Sequence, residues 1–268
     1  MRIGKQGTLS SAIATATADR ITVRGYDLSA ELIGNVGLTE LFYILLTGVR
    51  PTETQRLFID AALVSVAEHG LVPSVAAARM TLAAAPDAWQ GAVAAGLLGC
   101  GSVVLGSSET AGRLFSELVS EAADTNSPLV EVVCNKLAEM RETRTPLPGF
   151  GHPLHRDEDP RATRLLALAD KHGVAGAHVG ALREIVAQMP TAYGRTLAVN
   201  VSGAIPAVLL DVGFPMKAMK GIPLLARTAS LVAHLLEEAA NPIGFAMAHA
   251  GEAVISYQGA STQPSDVT

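Results

Sequence analysis

The stretch from Ala88 to Ser108 carries no charged side chain and is long enough to cross a bilayer. Such a stretch must either lie in a membrane or be buried among other helices. Gly91, Gly96, Gly99, Gly101 and Gly106 interrupt it, and no basic cluster or aromatic belt flanks it. These features predict a core or dimer-interface helix ending near Gly101, and no membrane association. Composition agrees: 49% of residues are hydrophobic but only 4% aromatic, so the interior must be built from Ala, Leu and Val. Small aliphatic residues with many glycines favour closely packed helices over sheets. At 268 residues the chain has length enough for one large domain, or a large one with a smaller partner.

Helical punctuation recurs along the rest. Arg20–Asp27 reads as a short β-like element closed by a glycine turn. Leu38, Leu41, Phe42, Leu45 and Leu46 follow helical spacing up to Gly48 and Pro51. Thr52 with Gln55 forms a capping-box pattern for a helix closed by Gly70. Further helices are predicted from Pro73, from Pro86-Asp87, over 111–123 and over 129–140. Others follow from Asp159 to His172, from Ala175 to a stop at Pro190, over 196–212, from Pro223 to Asn241, and over 243–256. Serial β-alternation and internal repeats are absent from the sequence. The expected fold class is all-α, a compact bundle of many helices, with a polar, disordered tail from Gly259.

A net charge of −5 with 17% charged residues argues against nucleic-acid binding, which needs a clustered basic face. Low charge on an apolar chain points to surface covered by another subunit. Cys100 and Cys134 both fall in apolar helical contexts and read as free, buried thiols in a reducing compartment. Met1–Ala18 lacks the apolar core of a secretory signal, so a cytoplasmic protein is expected.

Chemistry concentrates in Leu147–Arg161. Pro148, Gly149 and Gly151 predict a tight, exposed turn whose amides can approach a ligand unobstructed. His152 follows at its lip, a group that titrates near neutrality. Asp159-Pro160 reads as N-cap and N1, which puts Arg161 in the first helical turn. With Arg156, these residues describe an anion site containing an acid/base. His152, His155, Asp157 and Asp159 weigh little as metal ligands, because Asp159 is committed to capping. Toward the C-terminus, Arg227, His234 and Glu238 share one helical face. A guanidinium in so apolar a helix needs an anion, either one of the acids or a substrate carboxylate. Asn200-Val-Ser-Gly203 reads as polar punctuation within a tightly packed helix.

Taken in order, Arg24-Gly-Tyr-Asp27, the run from Leu38 to Thr52, Pro148-Gly-Phe-Gly-His152 with Asp159-Pro-Arg161, and Arg227 with Ala233-His234 resemble the citrate synthase superfamily. The likeness is greatest to its short citryl-CoA lyase members and covers most of residues 18–245. It implies a homodimer or higher homo-oligomer of helical subunits. Residues 1–106 with 217–268 would form a large domain and 107–216 a small one, with the active site in the cleft. It implies coenzyme A thioesters and an oxaloacetate-like dicarboxylate as small-molecule partners, with no metal or prosthetic group. Pro148, Gly149, Phe150 and Gly151 would receive the CoA adenine through their backbone, and Arg156 a CoA phosphate. Arg161 and Arg227 would hold carboxylates, and His152 would exchange a proton with the oxygen that is hydroxyl in citryl-CoA and carbonyl in oxaloacetate.

Three positions depart from the pattern. Leu105 stands where citrate synthases carry a first histidine, Ser202 where they carry an aspartate base, and Phe245 where an arginine crosses the dimer. Serine cannot abstract a thioester α-proton without a partner base, so cleavage is expected over condensation. The alternative is a non-catalytic CoA-ester-binding protein that keeps the fold.

Overall fold

A helix forms where an apolar face finds a partner and its end groups find caps, and both conditions are met repeatedly here. The computed structural model describes residues 9–101, 105–152 and 154–259. Among them are eleven α-helices and one small three-stranded sheet, as the all-α expectation requires. Residues 260–268 of the expected disordered tail lie outside the described residues, as do residues 1–8 and 102–104.

The sheet is an antiparallel meander of β1 (Ala14–Ala16), β2 (Ile21–Val23) and β3 (Tyr26–Asp27). Arg24 and Gly25 form the two-residue turn between β2 and β3, with φ of 49° and 92°, the primed geometry that matches strand twist. From that turn Arg24 reaches α1 (Leu38–Thr47), donating Nε to Leu45 O at 2.8 Å and Nη2 to Leu46 O at 3.4 Å. It thereby satisfies two of the carbonyls that a helix C-terminus leaves open.

The capping box opens α2 (Glu53–Ala67) as its sequence predicts. Gln55 N donates to Thr52 Oγ1 at 3.1 Å, and Thr52 N to Gln55 Oε1 at 2.9 Å. Thr52→Ala is expected to lower stability by about 1 kcal/mol, read as a lower denaturant midpoint.

The described residues divide into two compact units. The first comprises residues 1–66 and 105–223. Its N-terminal part is tied in by Gln55 Nε2, which donates to Val212 O at 3.0 Å and to the Tyr43 hydroxyl at 3.1 Å. Tyr43 also meets the Phe214 ring. These ties join the segment before residue 66 to the 105–223 helices. The unit's centre is α9 (Val201–Asp211), whose residues 203–209 are all buried. A helix apolar on all sides must be wrapped, and α5 (Ser107–Thr125), α7 (Pro160–Lys171) and α8 (Ala177–Tyr193) do so, with α6 (Leu129–Glu142) against α8.

The second unit, residues 67–104 and 224–268, holds α3 (Pro73–Ala84), α4 (Trp89–Leu98), most of α10 (Gly221–Ala240) and α11 (Gly244–Ala253). Val75, Ala78, Leu82, Ala92, Leu231 and Leu235 form its core. The uncharged stretch supplies α4, and a Cβ on its Gly96 would lie 2.7 Å from Leu231 Cδ1. Close packing explains the glycine there, and no described helix is long and apolar enough to cross a membrane.

Several boundaries differ from the sequence reading. The fourth helix starts at Trp89, not at Pro86. Pro190 lies inside α8 instead of ending it; the proline is exposed in the last turn, and Gly194 at φ 68° makes the stop. The segment read as helical from Thr196 is not helical up to Asn200, which is the N-cap of α9. Cys100 is buried, but Cys134 is exposed, contrary to the expectation for both.

Candidate functional site

Gly149 and Gly151 adopt φ of 87° and 75°, conformations that favour glycine, so the predicted turn is present. It is not exposed, however: Gly149 and Phe150 are buried. Phe150 pairs antiparallel with Val199, through Gly151 N donating to Ala198 O at 2.7 Å and Asn200 N to Gly149 O at 3.0 Å. This pattern turns the N–H and C=O of Phe150 away from residues 198–200. Asn200 Nδ2 adds a bond to Gly151 O at 2.8 Å, while its Oδ1 accepts from Gly203 N. One asparagine therefore caps α9 and fixes the turn.

Gly149 also rests directly on α9. A Cβ built there would lie 2.7 Å from Gly203 Cα, and one on Gly203 would lie 2.5 Å from Gly149 O. Two backbones touch with no side chain between them.

His152 is half-buried, and its Nδ1 accepts from Leu154 N and His155 N, both at 3.1 Å. A neutral imidazole whose Nδ1 accepts carries its proton on Nε2. The His155 ring lies 4.6 Å away, centroid to centroid. Asp159, 1% exposed, accepts from Arg161 N, Nε (2.9 Å) and Nη2 (2.8 Å), and from Val201 N at 2.9 Å. Burial pushes its carboxyl up, but the Arg161 guanidinium and the Val201 amide hold it below its ordinary value. The carboxylate thus joins the first turns of α7 and α9. It also occupies one edge of Arg161, leaving Nη1 and the second Nη2 hydrogen as donors toward any ligand. Ser202, half-buried in the first turn of α9, has no base hydrogen-bonded to its hydroxyl among the described residues. Arg156 is exposed.

Arg227 belongs to the second unit and is only 2% exposed. Its Nη1 donates to Ser230 Oγ at 3.3 Å, its Nε has no partner, and among the described residues it makes no ion pair. The nearby acids are engaged elsewhere. Glu238 pairs with buried Arg79 at 2.7 Å and accepts from Ile243 N and Gly244 N. Glu68 accepts from the Ser230 hydroxyl, from His234 Nε2 at 2.9 Å, and from the amides of His69 and Gly70. Of the two sequence readings of Arg227, an ion pair with a protein acid is not found among the described residues.

Desolvation pulls the Glu68 carboxyl upward, yet these donors, Ser230 foremost, hold it at about 2. A depressed carboxylate stabilises the fold above its ordinary value of 4.5, and loses that contribution as pH falls toward about 2. The stability advantage of the wild type over Glu68→Gln should accordingly shrink between those limits, measured by denaturant midpoint against pH.

The first unit thus gathers Pro148, Gly149, Phe150, Gly151, His152, Arg161 and Ser202 around the start of α9, and Arg227 stands in the second. Sequence reasoning missed that Asn200 and Asp159 organise the first group, and that Ser230 links Arg227 to Glu68. Asn before an apolar run is an N-cap signal, and it could have revealed the first of these. At the departures, Leu105 adopts φ 66°, rare for a bulky residue, and Phe245 is 69% exposed.

Residues 9–244 match the family model "Citrate synthase, C-terminal domain". The chain belongs to the citrate synthase family. It is 31% identical to citryl-CoA lyase from Hydrogenobacter thermophilus, with a TM-score of 0.82 and 96% of each chain covered. It is 32% identical over 187 residues to the "Putative citrate synthase 2" of Mycobacterium tuberculosis, a match that takes in 67% of this chain. The chain spans about half the length (47%) of that relative. ATP citrate lyase from Methanothrix soehngenii, solved with citrate and coenzyme A, shares the fold at 20% identity and TM-score 0.74, over 97% of this chain and 43% of that one.

Proposed function

We propose that the protein is a carbon–carbon lyase acting on a CoA thioester, with cleavage of citryl-CoA to acetyl-CoA and oxaloacetate, or of a related β-hydroxyacyl-CoA, as its reaction. The observation that carries this reading is Arg227, a buried guanidinium without a carboxylate partner among the described residues. Such a charge is costly unless an anion meets it, and a substrate carboxylate supplies one. The end-to-end likeness to a citryl-CoA lyase supports the same assignment.

In this reading Pro148, Gly149, Phe150 and Gly151 receive the adenine of coenzyme A, and the N–H and C=O of Phe150, which do not pair with residues 198–200, are the groups that would pair with it. Arg156 meets a phosphate, and Arg161 holds a second carboxylate. The grouping of residues 1–106 with 217–268 as a large domain and 107–216 as a small one belongs to the same proposal, as does assembly as a homodimer.

Cleavage moves the hydroxyl proton of the substrate to the α-carbon of the departing thioester. The electrons of the broken C–C bond pass to that carbon while the hydroxyl oxygen becomes the ketone. His152, resting with its proton on Nε2, donates a hydrogen bond to this oxygen and stabilises the charge that develops on it. Ser202 offers a hydroxyl to the enolate, and with no base beside it acts at most as a donor.

One observation favours a second reading. Leu105 and an unassisted Ser202 replace two catalytic groups, as in a protein that binds CoA esters without turning them over. Calorimetric titration with CoA, acetyl-CoA and oxaloacetate, followed by a citryl-CoA cleavage assay on the same sample, separates the two. Binding with oxaloacetate release establishes the lyase; binding without turnover of citryl-CoA favours the second reading; no binding refutes both.

A further inference from the structure

Three arginines of the chain illustrate three ways of holding a guanidinium. Arg79, 2% exposed, has a partner at each nitrogen: Nε and Nη1 go to Glu238 and Glu237, and Nη2 to Asn241 O at 3.2 Å. Arg161 has one edge occupied by Asp159. Among the described residues, Arg227 meets no carboxylate directly. A serine hydroxyl stands between it and Glu68, at i+3 on the same helix.

The direction of those two hydrogen bonds follows from chemistry. Glu68, ionised, only accepts, so the Ser230 proton must point to it. The Ser230 oxygen then turns its lone pairs to Arg227 Nη1, which can only donate. Glu68 is itself held by the amides of His69 and Gly70 and by His234 Nε2, so its place does not depend on Ser230. A direct ion pair would fix Arg227 but fill its fork; a hydroxyl spacer fixes one nitrogen and leaves Nε unspent.

We propose that Glu68 and Ser230 are positioning residues, which orient Arg227 toward the carboxylate of the substrate without competing for it. The inference rests on the reading of Arg227 as a substrate-carboxylate ligand. It concerns affinity for the dicarboxylate half of the substrate and not for coenzyme A.

The test uses the full chain and four variants: Ser230→Ala, Ser230→Thr, Glu68→Gln and Arg227→Ala. Oxaloacetate, pyruvate as a monocarboxylate control, and CoA are titrated by calorimetry, and citryl-CoA cleavage is followed for kcat and KM. Loss of one hydrogen bond to a charged group predicts about tenfold weaker oxaloacetate binding in Ser230→Ala, and a similar loss in Glu68→Gln. KM for citryl-CoA rises more than kcat falls, and the preference for oxaloacetate over pyruvate shrinks. CoA affinity stays at the wild-type value, and Ser230→Thr, which keeps the hydroxyl, restores oxaloacetate affinity. General loosening of the fold would weaken all three ligands alike, which overturns the inference. Wild-type oxaloacetate binding in both Ser230→Ala and Glu68→Gln, with Arg227→Ala impaired, overturns the inference and leaves the role of Arg227 intact. Wild-type oxaloacetate binding in Arg227→Ala overturns that role, and the inference with it. Glu68 is half-exposed, so Glu68→Gln remains informative if a Ser230 variant fails to fold.

Discussion

His152→Asn is expected to slow citryl-CoA cleavage by about 10²–10⁴-fold while CoA affinity stays near that of the wild type. Asparagine is the informative replacement because its carbonyl oxygen can still accept from Leu154 N and His155 N, the two bonds made by Nδ1. The turn then keeps its anchor, and only the proton-carrying Nε2 is lost. Single-turnover cleavage with a parallel CoA titration reads both effects. Full activity in the variant would remove His152 from the reaction. A joint collapse of rate and CoA affinity would mean that the ring serves the loop and not the chemistry.

Gly149→Ala should cost about 2–5 kcal/mol of stability. Roughly 1–2 kcal/mol comes from placing a Cβ at φ 87°, and about 1–3 kcal/mol from overlap with the backbone of α9. The overlap is severe because the nearest atoms, Gly203 Cα at 2.7 Å and N at 3.3 Å, belong to a helix that cannot rotate out of the way as a side chain would. Gly151→Ala is the internal control: its φ of 75° carries the same conformational cost, but nothing lies within 4 Å of the added carbon. Chemical denaturation of both variants gives the comparison. Equal losses in the two would refute the close approach as the reason for glycine at 149.

The same two positions mark what could be read from sequence and what could not. Positive φ at Gly149 and Gly151 was legible, since a Pro-Gly-x-Gly run has few other uses. Contact with Gly203 was not, because no local rule connects residues so far apart. Helix starts were legible where the cap is local, as at Thr52 with Gln55 and at Asp159. The start of α9 was misplaced because apolar residues run on both sides of Asn200, and tertiary pairing with Phe150 keeps 196–200 out of the helix. The energetic problem of Arg227 was evident from its apolar helix. Its solution was not, since Ser230 and Glu68 lie 162 residues apart.

One carboxylate, Asp159, serves the opening turns of two helices that are separated in the chain by the whole of α8. Neither α7 nor α9 is complete without the other, so their first turns order or fray as a single cooperative piece. Arg161 rides on one of them and Ser202 on the other. A fluctuation that releases Asp159 therefore dismantles both halves of the proposed centre in one event, and its return rebuilds them together.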